Sequence, residues 1–289
     1  MKVLVIGNKG QLGSDMARVL SEANYEVISL GHAQLEITSQ AEVAQALREI
    51  CPAAVVNCAS FVRVDESECR PDVAFSVNSV GALNVAMVCA ELAAACVYIS
   101  TDYVFGGDKR TPYIEEDAPN PLNVYGVSKL AGEYFMRNVC AKHYVVRTSG
   151  LYGAVGSSGK GGNFVETMIR LAEQDKSIRV VNDQILTPTY TKDLAHKIKE
   201  LLETDAYGLY HVTNAGSCSW YEFAQKIFDF LGLKPDCAPT TTESYGAKAR
   251  RPAYSILEHG SLRRLGLGNM RSWVSALEAY LQEKGYLAT

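Results

Sequence analysis

The chain has 289 residues, 47% of them hydrophobic and 21% charged, enough to bury a large core as one α/β domain or as a domain with an added lobe. A formal net charge of −4 excludes the basic footprint that nucleic acid or an anionic membrane surface requires. Eight cysteines, at 51, 58, 69, 89, 96, 140, 218 and 237, form no C-x-x-C pair and lie mostly in apolar runs, which excludes zinc-site and disulfide-framework classes and predicts reduced thiols in a cytoplasmic protein.

The chain opens on a β-branched run, residues 2–6, with no signal-peptide pattern, and no later span approaches ~18 continuous apolar residues. The run ends in Gly7-Asn8-Lys9-Gly10-Gln11-Leu12-Gly13, and Met16, Val19 and Leu20 then recur at helical spacing. Strand, glycine turn and helix in this order predict a pyrophosphate cradle: glycines let the backbone approach closely, and the helix N-terminus attracts the anion. A second strand, 26–30, ends at Leu30, Gly31 and His32, where an NAD site usually carries a ribose-binding acid. The missing acid leaves room for NADP, with His32 a neighbour for a 2′-phosphate or an ordinary loop histidine. Thr38 is predicted to cap a helix over 42–50.

Residues 53–57 form an apolar strand ending in Asn57-Cys58-Ala59-Ser60, whose small side chains suit a ligand passing close by. Helical spacing runs over 72–95 behind Pro71, and Asn78 interrupts it as a polar residue expected on the solvated face. A fourth strand, 96–100, delivers Thr101, Asp102 and Tyr103 to the same sheet edge as the glycine loop. After Pro119 and Pro121, Tyr125 and Lys129 stand four residues apart, on one face of a helix. An ammonium beside a phenol favours the phenolate, so this spacing predicts a Tyr pKa drawn down from about 10 and acid–base chemistry without histidine. A fifth strand, 144–147, completes a β-α-β alternation that predicts a doubly wound, parallel-sheet Rossmann domain. Residues 153–162 are Gly/Ser-rich and read as a mobile loop, and 163–174 as a helix. Residues 1–150 with about 186–213 are assigned to the dinucleotide-binding domain, and 151–185 with 214–289 to a smaller C-terminal substrate-binding lobe. A last helix is expected through 273–281.

The glycine loop, Asn57, Ser100-Thr101-Asp102 and Tyr125-x-x-x-Lys129 resemble the extended short-chain dehydrogenase/reductase family in order and spacing. Within it the chain is most similar to the dTDP-4-dehydrorhamnose reductase family. That resemblance rests on Gly10-Gln11-Leu12-Gly13, Ser100 to Phe105, Pro121 to Gly126, Lys129 to Glu133, Arg147-Thr148-Ser149, Asn163-Phe164, Asn182-Asp183-Gln184, Pro188-Thr189, Gly208 to His211 and Arg251-Pro252. It implies an NADPH- or NADH-dependent reductase of the 4-keto group of a dTDP-deoxysugar. Tyr125 would donate the proton, Lys129 would lower its pKa and hold the nicotinamide ribose, and Thr101 would bond the same oxygen. Gly7, Gly10, Gln11, Leu12 and Gly13 would cradle the pyrophosphate; Glu36 and Ile37 would flank the adenine; Ser60, Phe61 and Val62 would line the cofactor channel. Asp102, Tyr103, Gly150 and Arg251 would meet the sugar.

Glu36 stands where the family more often has Asp, and Gly150 where it tends to have Trp. The lost indole is expected either to leave an open pocket or to be replaced by Tyr103, Tyr152 or Phe164. A related nucleotide-sugar epimerase, a reductase of another 4-keto sugar, or a non-catalytic NADP-binding regulator remain alternative readings, and a homodimer remains open. No metal site is identified.

Overall fold

The computed structural model describes residues 1–155, 162–174 and 176–288. From the N-terminus, β1 (Lys2–Ile6), α1 (Gln11–Glu22), β2 (Glu26–Leu30), α2 (Gln40–Ile50) and β3 (Ala54–Asn57) follow one another as the apolar periodicity requires. A short α3 (Val64–Ser67) precedes one long helix in three parts: α4 (Pro71–Phe75), a π-helical turn at Ser76–Val80, and α5 (Gly81–Glu91). Then come β4 (Ala95–Thr101), α6 (Val124–Val139) and β5 (His143–Thr148). The rest of the chain contributes β6 (Leu151–Tyr152), α7 (Phe164–Glu173), β7 (Ile178–Val181), β8 (Ile185–Leu186), β9 (Thr189–Tyr190), α8 (Thr191–Leu202) and β10 (Gly208–His211). It closes with β11 (Cys218–Ser219), α9 (Trp220–Leu231), β12 (Cys237–Thr240), α10 (Thr242–Tyr245), α11 (Gly260–Arg264) and α12 (Trp273–Glu283).

Six strands form a parallel sheet in the order β10-β5-β4-β3-β1-β2, the doubly wound Rossmann arrangement expected from the β-α alternation. Buried on both faces, β3 reads as the unbroken apolar run Ala54-Val55-Val56 before Asn57. One face packs Val3, Val5, Met16, Leu20, Leu194 and Ile198 beneath α1 and α8; the other packs Leu4, Ile6, Leu47, Val85, Cys89 and Met136 beneath α2, α5 and α6. The chain order reverses between β1 and β3, so a crevice opens at Gly7 and Cys58, where such sheets bind ligands.

A third core, apart from the two faces of the sheet, is largely aromatic: Tyr152 stacks on Tyr190 at 5.7 Å, with Phe223 and Tyr280 against them. Tyr190 packs into this core while Leu262 and Met270 pack back onto the sheet.

Several expectations need correction. The α2 cap is Ser39, whose side chain accepts from Glu42 N; Thr38 instead donates to Glu36 Oε1 at 2.9 Å. The helical pattern over 72–95 ends at Glu91, and Ala95 already begins β4. Asn163 is the cap of α7 and not its first turn. Residues 156–161 of the Gly/Ser-rich loop lie outside the described residues. By length and composition Pro71–Glu91 would suit a membrane span, yet 56% of its apolar window is buried inside the fold. Cys51 and Cys69 are exposed, unlike Cys89, Cys96, Cys140 and Cys218, and all eight thiols are free.

Candidate active site

The glycine loop is shaped by two close approaches. Gly7 has φ +86°, and a Cβ there would lie 2.9 Å from Ala59 N; a Cβ on Gly13 would lie 2.2 Å from the Gly7 carbonyl. No other residue fits either place. Gly10 caps α1 without a side-chain bond, and the first turn carries no acid, so the amides at Gln11, Leu12 and Gly13 open onto the crevice with the helix dipole behind them. This cradle fits a pyrophosphate. The Gln11 side chain turns away and accepts from Gly153 N at 2.9 Å, tying the loop to the chain just after β6.

At the end of β2, Gly31 is covered by the loop: a Cβ there would lie 2.9 Å from Asn8 Oδ1 and 3.7 Å from the Lys9 side chain. His32 is exposed and pairs with Glu36 at 3.3 Å, and Glu36 also accepts from the Thr38 amide and hydroxyl. Ile37 is buried against Gly81.

Asn78 is not solvated. It is 1% exposed, sits in the π-helical turn, and uses its whole amide: Oδ1 accepts from Ser60 Oγ and Phe61 N, and Nδ2 donates to Phe61 O and Ser128 Oγ. The extra backbone residue of the π turn aims this side chain at the segment 60–62 and clamps it to α6.

Asn123 caps α6 by accepting from Gly126 N at 2.8 Å, and a Cβ on Gly126 would lie 2.3 Å from the Tyr103 carbonyl. That contact seats the start of α6 on the end of β4 and brings Tyr125 beside Thr101. The Tyr125 ring meets Tyr103 edge-on at 6.0 Å. Burial pushes the Tyr125 phenol well up; the Thr101 hydroxyl lowers it, and Asp102 and Tyr103 raise it again. Spacing alone predicts a lowered phenol, and the structure corrects this. Lys129 turns from the phenol to lie 4.2 Å over the Tyr98 ring, within 3.5 Å of Ser60 Oγ. It is 1% exposed, and burial drops its pKa to about 7 against the pull of Glu133 and Cys58.

Asp102 is buried among hydroxyls: Thr101 donates to Oδ1 at 3.0 Å, and Ser149 and Ser255 donate to Oδ2 at 2.8 and 2.6 Å. Ser255 lies 153 residues further along the chain, so this carboxylate joins a distant segment to Thr101. Arg251 is held by Asp65 (Nη2–Oδ2 2.8 Å) and faces Tyr103. Gly150 is not an open pocket. Its φ is +55°, and a Cβ would lie 2.9 Å from Leu186 Cδ1 and 3.1 Å from the Pro188 backbone, so Leu186 fills the space expected for Tyr103, Tyr152 or Phe164.

Beneath Lys129, Glu133 and Arg147 form a bidentate pair at 2.9 and 2.7 Å, and Ser100 donates to Glu133 Oε1 at 2.5 Å. Sequence reasoning missed Asn78, Glu133 and the serines on Asp102. Only Asn78 left a visible signal, a lone amide in an apolar helix. Two grooves of about 530 and 550 Å³ run along the open edge at β10, past Tyr134 and Arg137, away from Tyr125. Among the described residues no cluster of three metal-ligating side chains occurs.

A family model described as "RmlD substrate binding domain" matches residues 1–285. The chain is 44% identical over 283 residues to the spore coat polysaccharide biosynthesis protein SpsK of Bacillus subtilis, covering 98% of each chain. It is 39% identical over 281 residues to a dTDP-4-dehydrorhamnose reductase of Streptomyces griseus, covering 95% of this chain and 91% of that one. A crystal structure of dTDP-4-dehydrorhamnose reductase from Bacillus anthracis in complex with NADP superposes with a TM-score of 0.94 at 44% identity, covering 98% of this chain and 99% of the other.

Proposed function

The chain belongs to the RmlD substrate-binding-domain family, that of the dTDP-4-dehydrorhamnose reductases, and from this premise we propose that it reduces the 4-keto group of a dTDP-6-deoxysugar with NADPH or NADH. The observation that carries the reading is the contact of the Thr101 hydroxyl with Tyr125 at the carboxyl end of β4, beside the crevice that the glycine loop lines, with Lys129 one helical turn further along α6. A reduced nicotinamide bound there supplies the hydride.

The chain's own part is binding and proton supply. The amides at Gln11, Leu12 and Gly13 hold the pyrophosphate, and Ser60 and Phe61, pinned by Asn78, wall the cofactor channel together with Val62. Tyr125, kept protonated by burial, gives its proton to the C4 oxygen as the carbonyl becomes an alkoxide, so the ketone leaves as a secondary alcohol. Lys129, one helical turn along α6 and directed to Tyr98 and Ser60, acts on the phenolate that remains through its charge and not through contact. Thr101 has one hydroxyl proton, which it gives to Asp102 or to the substrate oxygen; Ser149 and Ser255 keep Asp102 satisfied when it is withdrawn. Tyr103 and Arg251, in contact with each other, border the sugar side. Free thiols throughout fit a cytoplasmic setting.

The test is to offer dTDP-4-dehydrorhamnose with NADPH and with NADH and to identify the sugar product. Formation of dTDP-rhamnose with stoichiometric oxidation of the coenzyme supports the reading. No oxidation with this sugar, alongside turnover of a different keto-sugar, would replace it.

A further inference from the structure

Lys129 has an unusual setting for a group whose work depends on charge. Its ammonium is buried, and among the described residues no carboxylate lies within 4.0 Å of it. The groups around it come from four directions. Tyr98 on β4 presents its ring at 4.2 Å, and Ser60 after β3 its hydroxyl at 3.5 Å. Cys58 faces it from the same segment, but burial pushes that thiol up to about 12, so it carries no charge at neutral pH. Asn78 in the π-helical turn is neutral and fully bonded to Ser60, Phe61 and Ser128. On α6 itself Tyr125 is a neutral phenol one turn above, and Glu133 lies one turn below, on the same face.

Glu133 is the one anion in this set. It is 1% exposed, and every bond it makes fixes its position: Arg147 Nε and Nη2 from β5 at 2.9 and 2.7 Å, and Ser100 Oγ from β4 at 2.5 Å. Arg147 is held in turn by the Phe105 ring at 5.1 Å. A buried ion pair is weak evidence for stability, so another reason for keeping it is worth seeking. The pair is oriented: its negative end sits on the helix of Lys129, and its positive end lies on the far strand.

We propose that Glu133 is a positioning residue for proton transfer, its carboxylate clamped by Arg147 and Ser100 so that Lys129 stays an ammonium in a site that excludes water. This rests on the role given to Lys129 above. An opposite charge one helical turn away on the same face favours the charged form, whereas burial opposes it. Lys129 is charged only below its own pKa, so loss of the Glu133 charge moves the basic limb of activity to lower pH.

The experiment is the pH profile of kcat/KM for dTDP-4-dehydrorhamnose reduction with NADPH, with thermal unfolding of each variant recorded in parallel. Glu133→Gln keeps the side-chain shape; its basic limb is expected about one pH unit or more lower, a loss of about tenfold at pH 8 that shrinks at pH 6. Glu133→Asp, which keeps the charge, is expected to restore the limb towards wild type. Ser100→Ala removes a donor that spreads the carboxylate charge, so its limb should move upward; this variant decides the matter if Glu133→Gln does not fold. A folded Glu133→Gln whose activity falls equally at all pH values, or a Ser100→Ala profile that coincides with wild type when Glu133→Gln is unfolded, would overturn the proposal. Lys129→Met separates the two levels. If that variant turns over normally, the catalytic reading fails; if it is inactive while the Glu133→Gln profile stays put, only the role of Glu133 fails.

Discussion

Replacing Lys129 by Met should make the protein more stable at neutral pH, in the opposite sense to most single substitutions. A lysine with its pKa near 7 in the fold and 10.5 when unfolded binds fewer protons folded than unfolded throughout that window. Stability therefore rises with pH between 7 and 10.5, and the penalty of the buried charge is greatest at and below pH 7. At about 1.36 kcal/mol per pKa unit, the shift costs about 4 kcal/mol at pH 7. The ammonium also gains about 1 to 2 kcal/mol from the Tyr98 ring 4.2 Å below it. Met fills similar volume without charge, so the variant should be about 2 to 3 kcal/mol more stable at pH 7 and less than about 1 kcal/mol more stable at pH 10. Urea unfolding of both proteins across this range measures the difference, and groups titrating equally in the two cancel. A difference that stays flat with pH, or a variant less stable at pH 7, would refute the reasoning.

Asn78→Ala removes the four hydrogen bonds of a buried amide and should cost about 2 to 4 kcal/mol of stability while weakening NADPH binding, because the 60–62 segment loses its clamp; unchanged coenzyme affinity in a calorimetric titration would speak against a channel wall at Ser60. Gly150→Trp should lower stability by about 2 to 4 kcal/mol, from a positive φ and overpacking against Leu186 and Pro188. A folded, more active variant would show that the space is open after all. With no acid at Leu30 to His32 and Lys9 lying over Gly31, NADPH should bind at least as well as NADH. Fluorescence titration checks this, and NADH bound more than about tenfold tighter, about 1.4 kcal/mol, would point to a missed ribose acceptor.

What could be read from the sequence divides along a physical line. Gly10 and Gly13 were legible because the approaches that demand them, both to the Gly7 carbonyl, lie within one βα unit, whereas the approach of Gly7 itself is to Ala59 beyond β3. Tyr125 and Lys129 were legible as neighbours on one helix face, since helical geometry fixes that much. Spacing does not give depth or direction: Lys129 turns to Tyr98 and Ser60, and burial raises the Tyr125 phenol where proximity to an ammonium predicts a fall. Asn78 was visible as an amide in an apolar helix, but only the π turn decides that it points inward. The hydroxyls on Asp102 come from Ser149 and Ser255, and the atoms that fill the space at Gly150 come from Leu186 and Pro188. Those partners are distant in sequence and meet only through tertiary packing, so no local pattern announces them.

Proton donation by the Tyr125 phenol can be read out in the Tyr125→Phe variant. The variant keeps the ring against Tyr103 and removes one oxygen. Turnover of dTDP-4-dehydrorhamnose with NADPH should fall by about two to four orders of magnitude, the usual worth of a positioned general acid, while NADPH binds with nearly unchanged affinity. Turnover within a few-fold of wild type, with the coenzyme still bound, would contradict the account.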